Sequence, residues 1–132
     1  CYGPKWIIEL LTRIGPSFPV NSVAFAAGIE AVKDQQHVTD VLDHNRFWIN
    51  EMTKSFRDVN LKVYPSQTNF LLVDFPPHPG KTADDVNRYL NQNGIIPRQF
   101  SVKDFKDKLR FTVGDNDGMS KTIQVMNQFF EH

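Results

Sequence analysis

The segment Lys108-Leu109-Arg110-Phe111-Thr112-Val113-Gly114 alternates apolar and polar side chains, which commits it to a β-strand with two unlike faces. A pleated strand sends Leu109, Phe111 and Val113 into a core and turns Arg110 and Thr112 the other way. Arg110 therefore projects from a rigid support. There its planar guanidinium can take a carboxylate through two parallel hydrogen bonds, a geometry lysine lacks. The alternative for an arginine so placed is a surface ion pair of little energetic value. Both readings stay open on this segment alone.

The remaining elements follow from periodicity and punctuation. Pro4 suits a first helical turn, and Trp6, Ile7, Leu10 and Leu11 follow at helical spacing. Gly15-Pro16-Ser17-Phe18-Pro19 interrupts this helix and is the natural hinge or linker. From Val20 to Val32 the residues are apolar or small almost all round, predicting a helix packed on several sides. Val38, Val41, Leu42, Trp48, Ile49, Met52, Phe56 and Val59 then form one long helical stripe, read as core. Residues 69–75 fit an interior strand, stopped by Pro76-Pro77-His78-Pro79-Gly80. Thr82 can cap the next helix with Asp85 as its capping-box partner, and Gly94 can close it in a left-handed turn. Ile95-Ile96-Pro97-Arg98 reads as a short strand whose proline implies an edge or an end. A last helix opens near Asp117 and turns Met119, Ile123, Val125, Met126, Phe129 and Phe130 inward. The expected fold is α+β, with helices on one face of a small mixed sheet.

At 132 residues the chain can bury a sizeable core without disulfides or metal. Fifteen basic and fifteen acidic side chains cancel, so neither nucleic acid nor a membrane surface is favoured as partner. The single cysteine, Cys1, cannot make an internal bridge, and no apolar run reaches the ~20 residues of a membrane span, so a cytoplasmic protein is expected. A chain that opens at Cys1 and runs at once into a turn and a helix reads as a piece of something longer.

Chemistry-bearing residues are sparse. His37, His44, His78 and His132 are scattered, without metal-site spacing, and no metal is expected. Asp84 and Asp85 suit a first helical turn, where acidic groups favour the helix dipole. Ser17 and Ser66 lack the signature of a strained nucleophile turn, and Cys1 is a poor thiolate candidate. No glycine-rich phosphate loop is present, and no catalytic residue is assigned.

Four blocks carry a resemblance. Arg13-Ile14-Gly15-Pro16-Ser17-Phe18-Pro19-Val20-Asn21, Pro65-Ser66-Gln67-Thr68-Asn69-Phe70-Leu71-Leu72-Val73, Asn93-Gly94-Ile95-Ile96-Pro97-Arg98 and Leu109-Arg110-Phe111-Thr112-Val113-Gly114 occur in this order. Together they resemble histidinol-phosphate aminotransferase and its close relatives, pyridoxal-phosphate-dependent aminotransferases of classes I and II. The resemblance implies an aspartate-aminotransferase-like C-terminal small domain at 20–132. Residues 1–19 would lead out of an absent large domain, with the hinge near 15–19.

By that resemblance Arg110 matches the arginine that binds the substrate α-carboxylate, and Arg98 the arginine that helps hold a substrate phosphate. Asn69 lies behind the same pocket and reads as structural. The lysine that carries pyridoxal phosphate, and the arginine for its phosphate, would belong to the large domain. Lys121, in Ser120-Lys121, lacks the pattern that should follow and reads as a solvated helix residue. No cofactor-binding residue is therefore assigned to this chain, which by itself should be inactive and hold no cofactor. The full enzyme would act on an amino acid or amino-phosphate and a 2-oxo acid, and would be a homodimer. Pro97, where relatives carry an aliphatic residue, and the turn Gly114-Asp115-Asn116-Asp117-Gly118 depart from the pattern and admit other amino-acid substrates. The rival reading is a free-standing α+β ligand-binding or regulatory module, in which Arg98 and Arg110 make surface ion pairs.

Overall fold

The structure, a computed structural model, describes residues 2–15 and 20–131. It divides into two compact units, residues 1–39 and 40–132. Cys1, Pro16 to Pro19 of the expected hinge, and His132 lie outside the described residues.

The first unit contains α1 (Lys5–Ile14), α2 (Ser22–Lys33) and the start of α3 (Gln35–Asp58). Asn21 caps α2 by accepting a hydrogen bond from the Ala24 N–H at 2.8 Å. Neither α1 nor α2 buries a residue. Val23 is 77% exposed and Phe25 63%. The expectation that α2 is packed on several sides is therefore not met within the described residues: its apolar surface is present but uncovered.

The second unit holds the rest of α3, β1 (Lys62–Val63), β2 (Phe70–Asp74), α4 (Ala83–Gln92), β3 (Arg98–Gln99), a single 3₁₀ turn (Lys103–Phe105), β4 (Lys108–Thr112) and α5 (Asn116–Phe130). The strands form one sheet in the order β1-β2-β4-β3. All three pairings are antiparallel, which corrects the expected mixed sheet. The reason is topological. β2 and β3 are joined through α4 and run in the same direction, as a helical crossover requires. β4 lies between them, so the two parallel strands never pair.

Register fixes the faces. Leu71 opposes Phe111 and Val73 opposes Leu109, all four buried. Against this face come Trp48, Met52 and Phe56 of α3, Ala83, Val86 and Leu90 of α4, and Met119, Val125 and Met126 of α5, joined in one core with Leu61, Val63 and Phe75. The Phe56 and Phe111 rings meet at 5.3 Å. The helices α3, α4 and α5 thus cover one face, as the sequence indicated.

Two further expectations change. The α3 stripe is core only from Trp48 onward; Val38, Val41 and Leu42 are each more than 40% exposed. Only the second half of the 24-residue α3 carries residues of the core, Trp48, Met52 and Phe56. The strand expected at Ile95 to Arg98 begins at Arg98, because Pro97 has no N–H to contribute to a ladder. As an edge strand opening just past a proline, β3 otherwise agrees with the reading.

The local signals hold. Thr82 and Asp85 form a reciprocal capping box at the start of α4, and Gly94 sits at φ 76° immediately after its end. Asp115, rather than Asp117, caps α5, accepting from the Gly118 N–H at 2.8 Å.

Candidate anion-binding site

The face of the sheet turned away from the core is cationic. Arg110 opposes Leu72 on one side and Arg98 on the other, so the two arginines are direct cross-strand partners. Opposed Cα atoms in such a ladder lie about 4.5–5.5 Å apart. Their side chains leave the sheet on the same side. Like charges placed directly opposite destabilise a sheet, and an anion between the two guanidiniums would relieve that repulsion.

Lys108 and Lys62 share the face but not the condition. Lys62 and Lys108 both oppose Asp74 in register. Each comes within 3.7 Å of its carboxylate. Lys108 also binds Asp107 at 2.7 Å. That hydrogen bond holds the Lys108 ammonium above, and the Asp107 carboxyl below, their ordinary ranges. Tyr64 completes the group by donating its hydroxyl to Asp74 at 3.1 Å.

Neither arginine is engaged in this way. Among the described residues, neither the Arg98 nor the Arg110 side chain makes an ion pair or a hydrogen bond. The Nε of Arg110 is buried and has no acceptor. A buried donor on a charged group left unpaired costs more than a formed hydrogen bond gains, and few native groups are left so. Each guanidinium instead lies against a phenyl ring. Arg110 is 4.9 Å from the centre of Phe70, and Arg98 6.0 Å from that of Phe100. An aromatic face holds a cation without neutralising it.

The other sequence candidates have structural employment. The Asn69 carbonyl accepts from the Val113 N–H at 2.8 Å and extends the β2–β4 ladder. Asn69 also lines a hollow of about 510 Å³ with Leu42, Asn45, Arg46, Ile49 and Ser66. Ser66 donates to the Phe70 carbonyl at 2.6 Å, stabilising its loop. Lys121 is exposed on α5. Asp85 serves the α4 cap, and its carboxyl is held below its usual range chiefly by the Thr82 hydroxyl. Among the described residues, no group of three or more His, Cys, Asp or Glu could hold a metal ion, and no helix is long and apolar enough to cross a membrane.

Sequence reasoning found both arginines but not that they are paired, nor their aromatic seats. Phe70 opposes Thr112, two positions along the strand from Arg110. Only the register reveals that neighbour; the alternation of β2 and β4 taken together was the one signal available.

Comparison with known proteins agrees with this architecture. The chain is 34% identical over 130 residues to a histidinol-phosphate aminotransferase of Maricaulis maris, covering 98% of this chain and 36% of that protein. The crystal structure of the histidinol-phosphate aminotransferase from Clostridium acetobutylicum superposes with a TM-score of 0.82 at 15% identity, over 96% of this chain and 38% of that one. That of the Sinorhizobium meliloti enzyme, solved with pyridoxal 5'-phosphate, gives 0.74 at 22% identity, over 93% and 34%. The chain thus spans about a third of the length of these relatives. Residues 1–126 match the family model for aminotransferase class I and II, and the chain belongs to that family.

Proposed function

We propose that this chain contributes the substrate-holding small domain of a pyridoxal-phosphate-dependent aminotransferase of the histidinol-phosphate type. The observation that carries the reading is the cross-strand pair Arg98 and Arg110, two guanidiniums on one face with no anionic partner among the described residues. Arg110 binds the substrate α-carboxylate and so fixes the orientation of the reacting carbon. Arg98 takes the phosphate of an amino-phosphate. Two arginines side by side suit a transfer between unlike compounds: histidinol phosphate offers a phosphate and no carboxylate, and a 2-oxo acid offers the reverse.

When bound, pyridoxal phosphate supplies the electron sink for carbanion formation. Three of the chain's lysines fit its anchor poorly. Lys108 is held by Asp107 and Asp74, Lys62 by Asp74, and Lys121 is exposed on a helix surface. The cofactor lysine and the large domain come from protein beyond this chain, in a homodimeric enzyme. Residues 1–19 lead out of that domain, and residues 20–132 form the small one. The uncovered apolar surface of α1 and α2 supports a reading in which more protein packs there.

The test is amino transfer by the full-length protein supplied with pyridoxal phosphate. Amino-group transfer from histidinol phosphate to a 2-oxo acid is the expected result. Absence of transfer from it and from a panel of amino acids would contradict the reading.

A further inference from the structure

Arg98 poses a mechanical problem. It is exposed, on a two-residue edge strand, and among the described residues no carboxylate holds its long side chain. An arginine in that condition loses considerable rotamer entropy when it grips a ligand. The connection from β3 to β4 supplies a support. Phe100 lies under the Arg98 guanidinium, its ring 5.6 Å from that of Phe105 in a tilted contact. Phe105 in turn lies under the Lys108 ammonium at 5.9 Å. Lys108 is fixed by Asp107, by Asp74 and by donation to the Asp104 carbonyl at 3.3 Å. The chain of contacts thus runs from a rigid, well-paired lysine on β4 through two rings to a free arginine on the edge strand. Neither ring belongs to the hydrophobic core, and Phe105 is 41% exposed. Core packing does not account for two phenylalanines there.

We infer that Phe100, backed by Phe105, is a positioning residue that holds Arg98 ready for the phosphate end of the substrate and so sets preference for phosphorylated over unphosphorylated substrates. This rests on the assignment of Arg98 to the phosphate. The ring adds no charge and touches no reacting atom; its effect is to reduce the freedom Arg98 must give up on binding.

The experiment measures KM and kcat of the full-length enzyme for histidinol phosphate and for phenylalanine. The variants are Arg98→Ala, Phe100→Leu, Phe100→Tyr, Phe105→Leu and the double variant Arg98→Ala/Phe100→Leu. Phe100→Leu keeps an apolar side chain of similar bulk but removes the aromatic face. It should raise KM for histidinol phosphate relative to that for phenylalanine by about 2- to 5-fold, the range of an exposed cation–π contact, with little change in the kcat ratio. Phe100→Tyr should restore the ratio, and Phe105→Leu should shift it in the same direction by less. In the Arg98→Ala background the Phe100 effect should vanish. An unchanged ratio in Phe100→Leu and Phe105→Leu, or a shift of equal size that persists without Arg98, would overturn the inference. Should Arg98→Ala itself leave the ratio unchanged, the phosphate assignment of Arg98 fails, and the inference with it. If Arg98→Ala shifts the ratio and the ring variants do not, only the inference fails.

Discussion

Arg98 and Arg110 oppose each other across the β3–β4 ladder, while Lys62 and Lys108 on the same face are both matched to Asp74. The contrast separates cations paired with a carboxylate from cations that have no anionic partner among the described residues. An anion that binds only the folded state stabilises it by mass action, by about 1.4 kcal/mol at ten times its Kd. Inorganic phosphate, compared with chloride at equal ionic strength, should therefore raise the unfolding temperature. The shift should fall in Arg98→Gln and in Arg110→Gln. A shift as large as that of wild type in both variants would assign the anion to another place.

Adjacent residues of β4 provide a test of the two faces. Leu109 is fully buried in the core, and Arg110 is directed away from it. Leu109→Ala should cost about 2–5 kcal/mol. Arg110→Ala should change stability by only about 0.5 kcal/mol in either direction. Denaturant unfolding of the two variants checks this, and comparable losses would mean that the faces are wrongly assigned.

Much of this was legible in the sequence because it depends on local chemistry. The alternation around Arg110 gave the strand and its two faces, Thr82 with Asp85 gave the cap, and Gly94 gave the left-handed turn. Strand order was not legible in the same way. Nothing local to residues 108–112 says that they insert between β2 and β3, and that insertion makes the sheet antiparallel and brings Arg98 beside Arg110. The two-residue β1 was too short to announce itself by alternation. Periodicity likewise marked Val38, Val41 and Leu42 as apolar without indicating what they meet, since it reports a face and not its partner.

The α4 capping box sets a pH dependence. Asp85 accepts from the Thr82 hydroxyl and from the backbone N–H groups of Gly80 and Thr82, which lowers its pKa in the folded state. A depressed carboxyl pKa contributes stability above the unfolded value, near 3.9, and that contribution is lost as pH falls through the folded pKa. Thr82→Ala should cost about 1 kcal/mol at neutral pH. It should also flatten the loss of stability below pH 4. Thermal unfolding of wild type and variant at pH 7 and pH 3 measures both; an unchanged acid limb would remove Asp85 from the linkage.

The most direct test of the account concerns Arg110 in the full-length enzyme. Truncating one side of a charge-assisted pair that is buried on closure commonly costs ~2–5 kcal/mol, so kcat/KM for an amino-acid substrate should fall by roughly 30-fold to several thousand-fold in Arg110→Ala. Arg110→Lys keeps the charge without the two-pronged geometry and should fall between the variant and wild type. Both proteins should remain folded. A steady-state measurement that found wild-type kcat/KM in folded Arg110→Ala would contradict the central claim that this guanidinium holds the substrate carboxylate.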